Sequence, residues 1–317
     1  PMMAQFHGFD TEAQTTFRVP VDNHNIEKGL IKVKINQSER MRALLRSGVR
    51  EDALYDYVIN DGSRLAEQVF TRSKVAKNEA MATGKMTINE NNLALIVDYG
   101  VPADQLALEL DLSVDADTPS QLQDIVDKAL AKGVTLTGFM TARKNLTKMR
   151  NNAALQKAIN GNIGTGALLT ATALAGYLET EFGFGRIITN DLTYGADATI
   201  GADGRPNIIN KRYFPDNKIS FFATNPAGRM GVGLWGDPPE ATVGALKTGG
   251  YSTEHTYVYI DQWTEDDPKV LWTKASGLFI PALYNPSSLW IAKVKEQAAD
   301  SGGGEEGQTV KARAAAK

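Results

Sequence analysis

Chemistry in this chain would have to come from three histidines, one run of carboxylates, two glycine clusters and a carboxylate at a strand end. His7, His24 and His255 stand far apart, and none belongs to a His-x-x-x-His pair or a Glu-containing zinc motif. Each is expected to be an ordinary imidazole; His255, just ahead of Thr256-Tyr257-Val258-Tyr259, could orient a strand by hydrogen bonding. Asp261, Glu265, Asp266 and Asp267 gather beside Trp263 and Pro268. Converging carboxylate oxygens hold hard cations, but the glycine-centred spacing of a calcium loop is missing, so a solvated turn is expected. Gly161-Asn162-Ile163-Gly164-Thr165-Gly166 lacks the lysine of a phosphate loop, and Gly183-Phe184-Gly185 is too short for a dinucleotide fingerprint. Both read as turns around helices. Asp98 ends an apolar run and could act as an acid or base only with a partner close enough to exchange a proton; a hydrogen-bonded structural role is the expectation. Without cysteine there is no thiol nucleophile, disulfide or cysteine-based zinc site. The residues therefore predict no catalytic group, no metal and no cofactor.

The elements that would carry such groups follow from periodicity. Leu30-Ile31-Lys32-Val33-Lys34-Ile35-Asn36 alternates with the strand period of two. Residues 39–57 read as a helical turn or protruding hairpin around Gly48. A long helix is expected over residues 63–81, capped by Ser63, with Leu65, Val69, Arg72, Ala76 and Ala80 along one stripe, Ala66 and Phe70 beside it, and Gly84 as its stop. Arg64, Lys74 and Lys77 would then face solvent or a neighbouring chain. A second helix is expected to start with Thr118 at the N-cap, Pro119 at N1 and Gln121 at N3, and to end at Gly133. Residues 139–159 read as helical with a break at Asn151-Asn152, and residues 168–182 as another helix. Strands are expected at 187–188, 219–222, 255–260, 270–272, 278–281 and 288–294. Helices early and strands late predict an α+β fold.

The chain has 317 residues, 42% hydrophobic and 22% charged, with a formal net charge of -3. That is a globular mixture large enough for one or two cores, and it neither demands nor forbids nucleic acid. No apolar stretch of about 18 residues marks a membrane span and no signal core is evident, so synthesis in the cytosol is expected. Pro1 ahead of Met2 is compatible with proteolytic trimming or a cloning remnant. Residues 1–25 read as an extended arm and 301–317 as a tail or linker.

Ala80-Met81-Ala82-Thr83-Gly84-Lys85, leading into a strand that ends Val97-Asp98-Tyr99-Gly100, resembles the end of the spine helix and the following strand in the lambda-type branch of the HK97-like tailed-phage major capsid proteins. The order of elements extends the likeness over residues 15–295. The resemblance implies an arm (1–25), an extended loop (26–57), a spine helix with the first part of a peripheral domain (58–135), an axial domain (136–254) and a return to the peripheral domain (255–300). It also implies self-assembly into hexamers and pentamers of an icosahedral head, first in the host cytoplasm and then as the virion capsid. Portal and scaffolding proteins, a decoration protein and packaged double-stranded DNA, touched without base reading, are the implied partners. A tail-tube protein or a bacterial compartment shell of the same fold are the structural alternatives, and a metal- or phosphate-dependent enzyme using Asp98 and residues 161–166 is the chemical one.

Interface contacts are expected at Leu30, Lys32, Val33, Lys34, Ile35, Arg64, Lys74 and Lys77, with an ordinary internal strand as the alternative for residues 30–35. Tyr257, Tyr259, Trp263 and Trp272 are candidate anchors or, alternatively, internal sheet core. Some shells of this class crosslink Lys to Asn, but no matching carboxylate can be placed here. Mass spectrometry of intact particles should therefore find Lys32 and Lys34 unlinked; a Lys–Asn isopeptide adduct would overturn the noncovalent reading.

Overall fold

The computed structural model describes residues 28–37, 51–90, 93–161, 169–200, 206–242, 248–251, 256–266 and 269–295. The expected arm and tail, residues 38–50, His7, His24, His255 and residues 162–168 lie outside the described residues.

Helix α1 (Glu51–Thr83) spans about 50 Å at 1.5 Å per residue. It begins well before Ser63, which lies inside it rather than at its cap, so the expected loop 26–57 gives up its last residues to the helix. Asn60-Asp61-Gly62-Ser63 carries turn composition, but tertiary burial overrides it. Gly62 sits against the Ile260 side chain, only 3.4 Å from where a Cβ would stand. Leu65, Ala66, Val69, Ser73, Ala76 and Ala80 form the buried stripe. Ser73 takes the place expected for Arg72, with its hydroxyl donating to the Phe70 carbonyl at 2.7 Å.

That stripe lies on a five-stranded sheet. Its axis is the 15-residue β13 (Lys269–Leu283), paired antiparallel along one edge with β1 (Gly29–Gln37) and along the other with β12 (Tyr259–Asp266) and then β10 (Gly231–Gly236); β11 (Thr248–Tyr251) follows β12. The two strands expected at 270–272 and 278–281 are thus one. Ile31, Val33 and Ile35 point with Ala275 and Ile260 into the core beneath α1.

The second sheet runs β4-β14-β9-β5-β6, from β4 (Leu108–Leu110) through β14 (Leu289–Val294), β9 (Lys218–Phe222) and β5 (Gly138–Thr141) to β6 (Arg186–Thr189). Phe139 is in its centre, fully buried, not in the helix expected from residue 139 onward. One face carries helices α3 (Thr118–Ala131), α4 (Arg143–Asn151), α5 (Ala153–Asn160) and α6 (Ala171–Phe182), which share a single core with Phe139, Phe221 and Trp290. A short α2 (Ala103–Leu106) precedes β4. Residues 108–129 pack in this second core, so the division expected at 135/136 is not where the cores part, and residues 231–236 and 248–251 belong to the first sheet. The α3 cap is Asp117, whose carboxylate accepts from the Ser120 amide, because the Thr118 hydroxyl is occupied by the Asp111 carbonyl. Asn152 breaks α4 from α5 and caps the latter through the Leu155 amide. Gly183, at φ 75°, stops α6 with its amide on Glu179 and the Phe184 amide on Leu178. Two-stranded ribbons, β2 (Lys85–Glu90) with β3 (Leu93–Asp98) and β7 (Thr193–Ile200) with β8 (Pro206–Arg212), pair outside both sheets.

The end of α1 joins the two halves. Gly84 takes φ 68° and its amide returns to the Ala80 carbonyl at 2.9 Å. From β9, the Ser220 hydroxyl donates to Met81 and the Lys218 ammonium to Ala82, each at 2.8 Å. Two carbonyls that a helix end leaves open are thus satisfied by the other sheet, and the cation lies at the negative end of the helix dipole. Burial, then Lys293, pulls the Lys218 ammonium below its usual range. A Cβ at Gly84 would stand 3.1 Å from Leu106 and Val101 in a left-handed backbone. Gly84→Ala should cost about 1–3 kcal/mol, read by urea unfolding of the unassembled subunit; an unchanged midpoint would disprove the stop.

Candidate assembly surfaces

Of the residues where chemistry was conceivable, Asp98 and Asp261 have partners within the fold, while the three histidines and residues 162–168 lie outside the described residues. Asp98 accepts the Gly100 amide at 2.9 Å and pairs with Lys85 at 2.8 Å; these two contacts hold its carboxyl below the usual range and pin the base of the β2–β3 ribbon. Of the acidic run, Asp261 is buried 3.9 Å from Lys274 and Glu265 is exposed, both on strand β12 rather than in the expected turn, while Asp267 lies outside the described residues. No group of three His or carboxylate side chains able to hold a metal ion occurs among the described residues.

The expected interface residues divide between two faces. Val33 and Ile35 pack inward within the chain, because the antiparallel register sets them against Ala275 and Thr273 under α1. Leu30, Lys32 and Lys34 point the other way and are exposed. Lys34 lies 4.3 Å above the Trp272 ring, and Lys32 reaches Glu240 at 2.7 Å. Arg64 is exposed and 3.5 Å from Asp61. Lys74 is exposed over Phe70, but Lys77 is half-buried between Phe70 and Phe279, and burial followed by Lys74 lowers its pKa. Lys77 therefore belongs to the fold as much as to any contact. Trp263 and Trp272 stack at 6.2 Å, Tyr259 is buried and Tyr257 is exposed while stacking on Trp235 at 5.7 Å, so the aromatic group is mostly sheet packing with one open member.

Sequence reasoning missed a clamp on the outer face of the first sheet. Glu240, on the one-turn α7 (Pro239–Thr242), takes Lys32 of β1 and Lys274 of β13 on the same oxygen, at 2.7 and 3.2 Å. Burial pushes the carboxyl up, but these two ammonium groups prevail and hold it down at about 2. The sequence signal was Lys274, the one charged side chain in the interior of a strand whose first residue is Lys269.

Apolar side chains stand exposed in a pattern a solitary chain has no use for. In β3, residues 93–96 are all exposed, Leu93 and Leu95 on one side of the ribbon and Ile96, at 65%, on the other. Leu192, Ile208 and Ile209 are exposed on and beside the β7–β8 ribbon. Between that ribbon and α1 lies a groove of about 950 Å³ bounded by Arg64, Gln68, Thr71, Tyr194 and Ile208. Freestanding ribbons are marginal by themselves, and exposed apolar surface of this kind marks contact sites.

A family model described as phage major capsid protein E matches residues 26–294. The chain belongs to that family. Its architecture is the HK97-like fold, α+β, and its role is that of a structural capsid subunit. Among solved structures, a protein described as a prophage capsid protein of Escherichia coli CFT073 is 13% identical, with 85% of this chain and 78% of that one covered at a TM-score of 0.52. A phage-related protein from Bordetella bronchiseptica RB50 is 12% identical over 86% and 80%, at 0.43, and the SrpI encapsulin of Synechococcus elongatus PCC 7942 is 11% identical over 84% and 73%, at 0.40. No curated protein sequence matches.

In this capsid protein the clamp gives a defined pH response. The Glu240 carboxyl titrates lower folded than its ordinary 4.5, so its contribution is whole above pH 4.5 and lost as pH falls toward 2. Glu240→Gln should be less stable than wild type at pH 7 by about 1–3 kcal/mol, with the gap closing in acid. Denaturation at a series of pH values checks this; a gap independent of pH would reject the clamp.

Proposed function

We propose that this capsid protein acts only by associating with itself, without catalysis, closing into an icosahedral shell of hexamers and pentamers around packaged duplex DNA. The observation that carries this is the β2–β3 ribbon, fixed rigidly at its base by Gly84, Lys85 and Asp98 yet exposing Leu93, Leu95 and Ile96 on both sides. A rigid base beneath a strand of exposed apolar side chains suits docking on another copy better than it suits solvent.

β1 serves the same purpose in a narrower way than expected. Its inward residues build the subunit core, so the contact role passes to Leu30, Lys32 and Lys34 and to its free edge, since among the described residues it pairs only with β13. An open edge can take an extended segment from a neighbour. The peripheral and axial domains correspond in this reading to the α1 sheet and the four-helix sheet. Lambda-type placement rests on the motif around Gly84 and Gly100. Portal, scaffolding and decoration proteins would meet the assembled shell rather than a pocket in the subunit, and the virion head is where the protein would reside.

Negative-stain microscopy of purified, concentrated protein should show closed shells, whereas exclusively helical tubes would remove the proposal. Deleting residues 38–50, with a short Gly-Ser bridge, spares β1 and α1. It should leave a folded subunit and lower shell yield at least tenfold; normal shells from that variant would show that the loop is dispensable.

A further inference from the structure

Strand β10 is a sheet edge that nothing blunts. Among the described residues it pairs with β13 on one side and with no strand on the other. Proteins guard such edges with charges or proline, and here β1 carries Lys32 and Lys34, β4 carries Glu109 and β6 carries Arg186. From Met230 to Gly236 the chain has neither device. Val232 and Leu234 stand exposed on the outer face of the sheet, at 37% and 43%. The backbone is turned for a partner as well. In the register with β13, the Tyr284 amide donates to the Met230 carbonyl at 3.1 Å. Antiparallel strands direct the polar groups of successive residues to opposite sides, so Val232 and Leu234 aim theirs at β13 and Gly231, Gly233 and Trp235 aim theirs outward. The Trp235 carbonyl accordingly accepts from the Lys28 ammonium at 3.0 Å, and its second lone pair stays open.

We infer that β10 pairs with β10 of a second copy, antiparallel about a two-fold axis at Gly233, so that one sheet runs through both copies. The inference rests on the self-association proposed above and names one of its contacts. Residues that face each other across such a pair must share a side of the sheet and a backbone direction. With the axis at Gly233, Gly231 faces Trp235 of the second copy and Val232 faces Leu234, which meets both conditions. Large side chains then lie opposite glycine, and exposed apolar ones lie opposite each other. At both ends Arg229, which is exposed, comes opposite Asp237, which is exposed too, and symmetry makes every pairing twice. One like-charge encounter opposes the contact, since Lys77 stands over Gly233 in each copy. The Phe70 and Phe279 rings, 5.9 and 5.2 Å from that ammonium, hold it on its own side of the axis. A contact between identical patches cannot close a ring by itself; it joins one ring to the next.

The chain has no cysteine, so introduced thiols report the register directly. Opposed residues of the Val232–Leu234 kind have Cα atoms about 4.5 Å apart, within reach of a disulfide. Full-length Val232→Cys and Leu234→Cys proteins, mixed and mildly oxidised, should give about tenfold more covalent dimer on a non-reducing gel than either gives alone. Charge tests the same register a second way. Val232→Lys with Leu234→Glu sets opposite charges across the axis, and in sedimentation it should associate about tenfold more strongly than Val232→Lys with Leu234→Lys, which sets like charges there. Circular dichroism verifies that all four proteins fold. A mixture that gives no excess of dimer overturns the inference, and so does equal association of the two charge variants. Cross-linking of Val232→Cys to itself as readily as to Leu234→Cys also overturns it, in favour of another register or another strand on this edge. Closed shells without the mixed dimer remove this contact and leave the shell reading standing; the mixed dimer without closed shells does the reverse.

Discussion

The C-terminal end of α1 is the constraint on which the rest of the subunit depends. A long helix ends with several carbonyls unsatisfied and a partial negative charge, and here that end is driven between two sheets. Lys218 and Ser220 come from β9, a strand paired on both sides within the second sheet, so they cannot follow the helix if it moves. Behind them Val101, Leu289 and Ile291 pack with Tyr99, Leu106 and Leu283, and the Tyr99 hydroxyl donates to the Pro281 carbonyl at 2.8 Å. Burial, then Glu79, raises the Tyr99 pKa, so the phenol stays protonated as that donor requires. Breaking the junction would strand two helix carbonyls and a half-buried ammonium together, each worth about 1–3 kcal/mol. The angle between the sheets is therefore set by hydrogen bonds with little room to slide.

Rigidity at the junction explains why the adaptable surface lies elsewhere. The exposed sides of both ribbons and the open edge of β1 face away from the cores, although the base of the β2–β3 ribbon is itself anchored by Met86 and Val97 packing with Ala76, Phe279 and Ile280. Subunits that must fit several slightly different surroundings need this division, with a fixed body and contacts carried on projections. The Glu240 clamp serves the body: by binding Lys32 and Lys274 together it fastens β1, whose inner residues roof α1, to the axis of the sheet.

Local signals in the sequence disclosed the punctuation of this fold better than its grouping. Gly84 and Gly183 act through left-handed backbone and Asn152 through a local side-chain cap on the Leu155 amide, signals that distant neighbours hardly alter, and each stands where its residue type predicted. The start of α1 was hidden because Asp61 and Gly62 belong to a turn vocabulary, and only Gln37, Arg64 and Ile260, all supplied or completed by the fold, make them helical. Phe139 was assigned to the wrong element because a short apolar run beside a helix has no period of its own. The inward facing of Val33 and Ile35 depends on register with β13, a strand over two hundred residues away. Lys218, Ser220 and Glu240 carry no local mark at all, since their meaning is the partner each one meets.

Weakness of the individual contacts is itself part of how such a subunit can work. An exposed ion pair contributes only about 0.2–1 kcal/mol, and one ribbon strand would bury a handful of side chains, so two copies meeting at a single contact part quickly. Contacts made together around a ring, and again between rings, multiply into a lasting assembly. A copy that arrives with the wrong edge makes few of them and leaves, because differences in affinity between related contacts fall mostly on the rate of departure. Contacts that are weak singly and strong only together thus let a wrongly placed copy leave, while the buried helix end keeps the geometry that lets every later contact agree with the first.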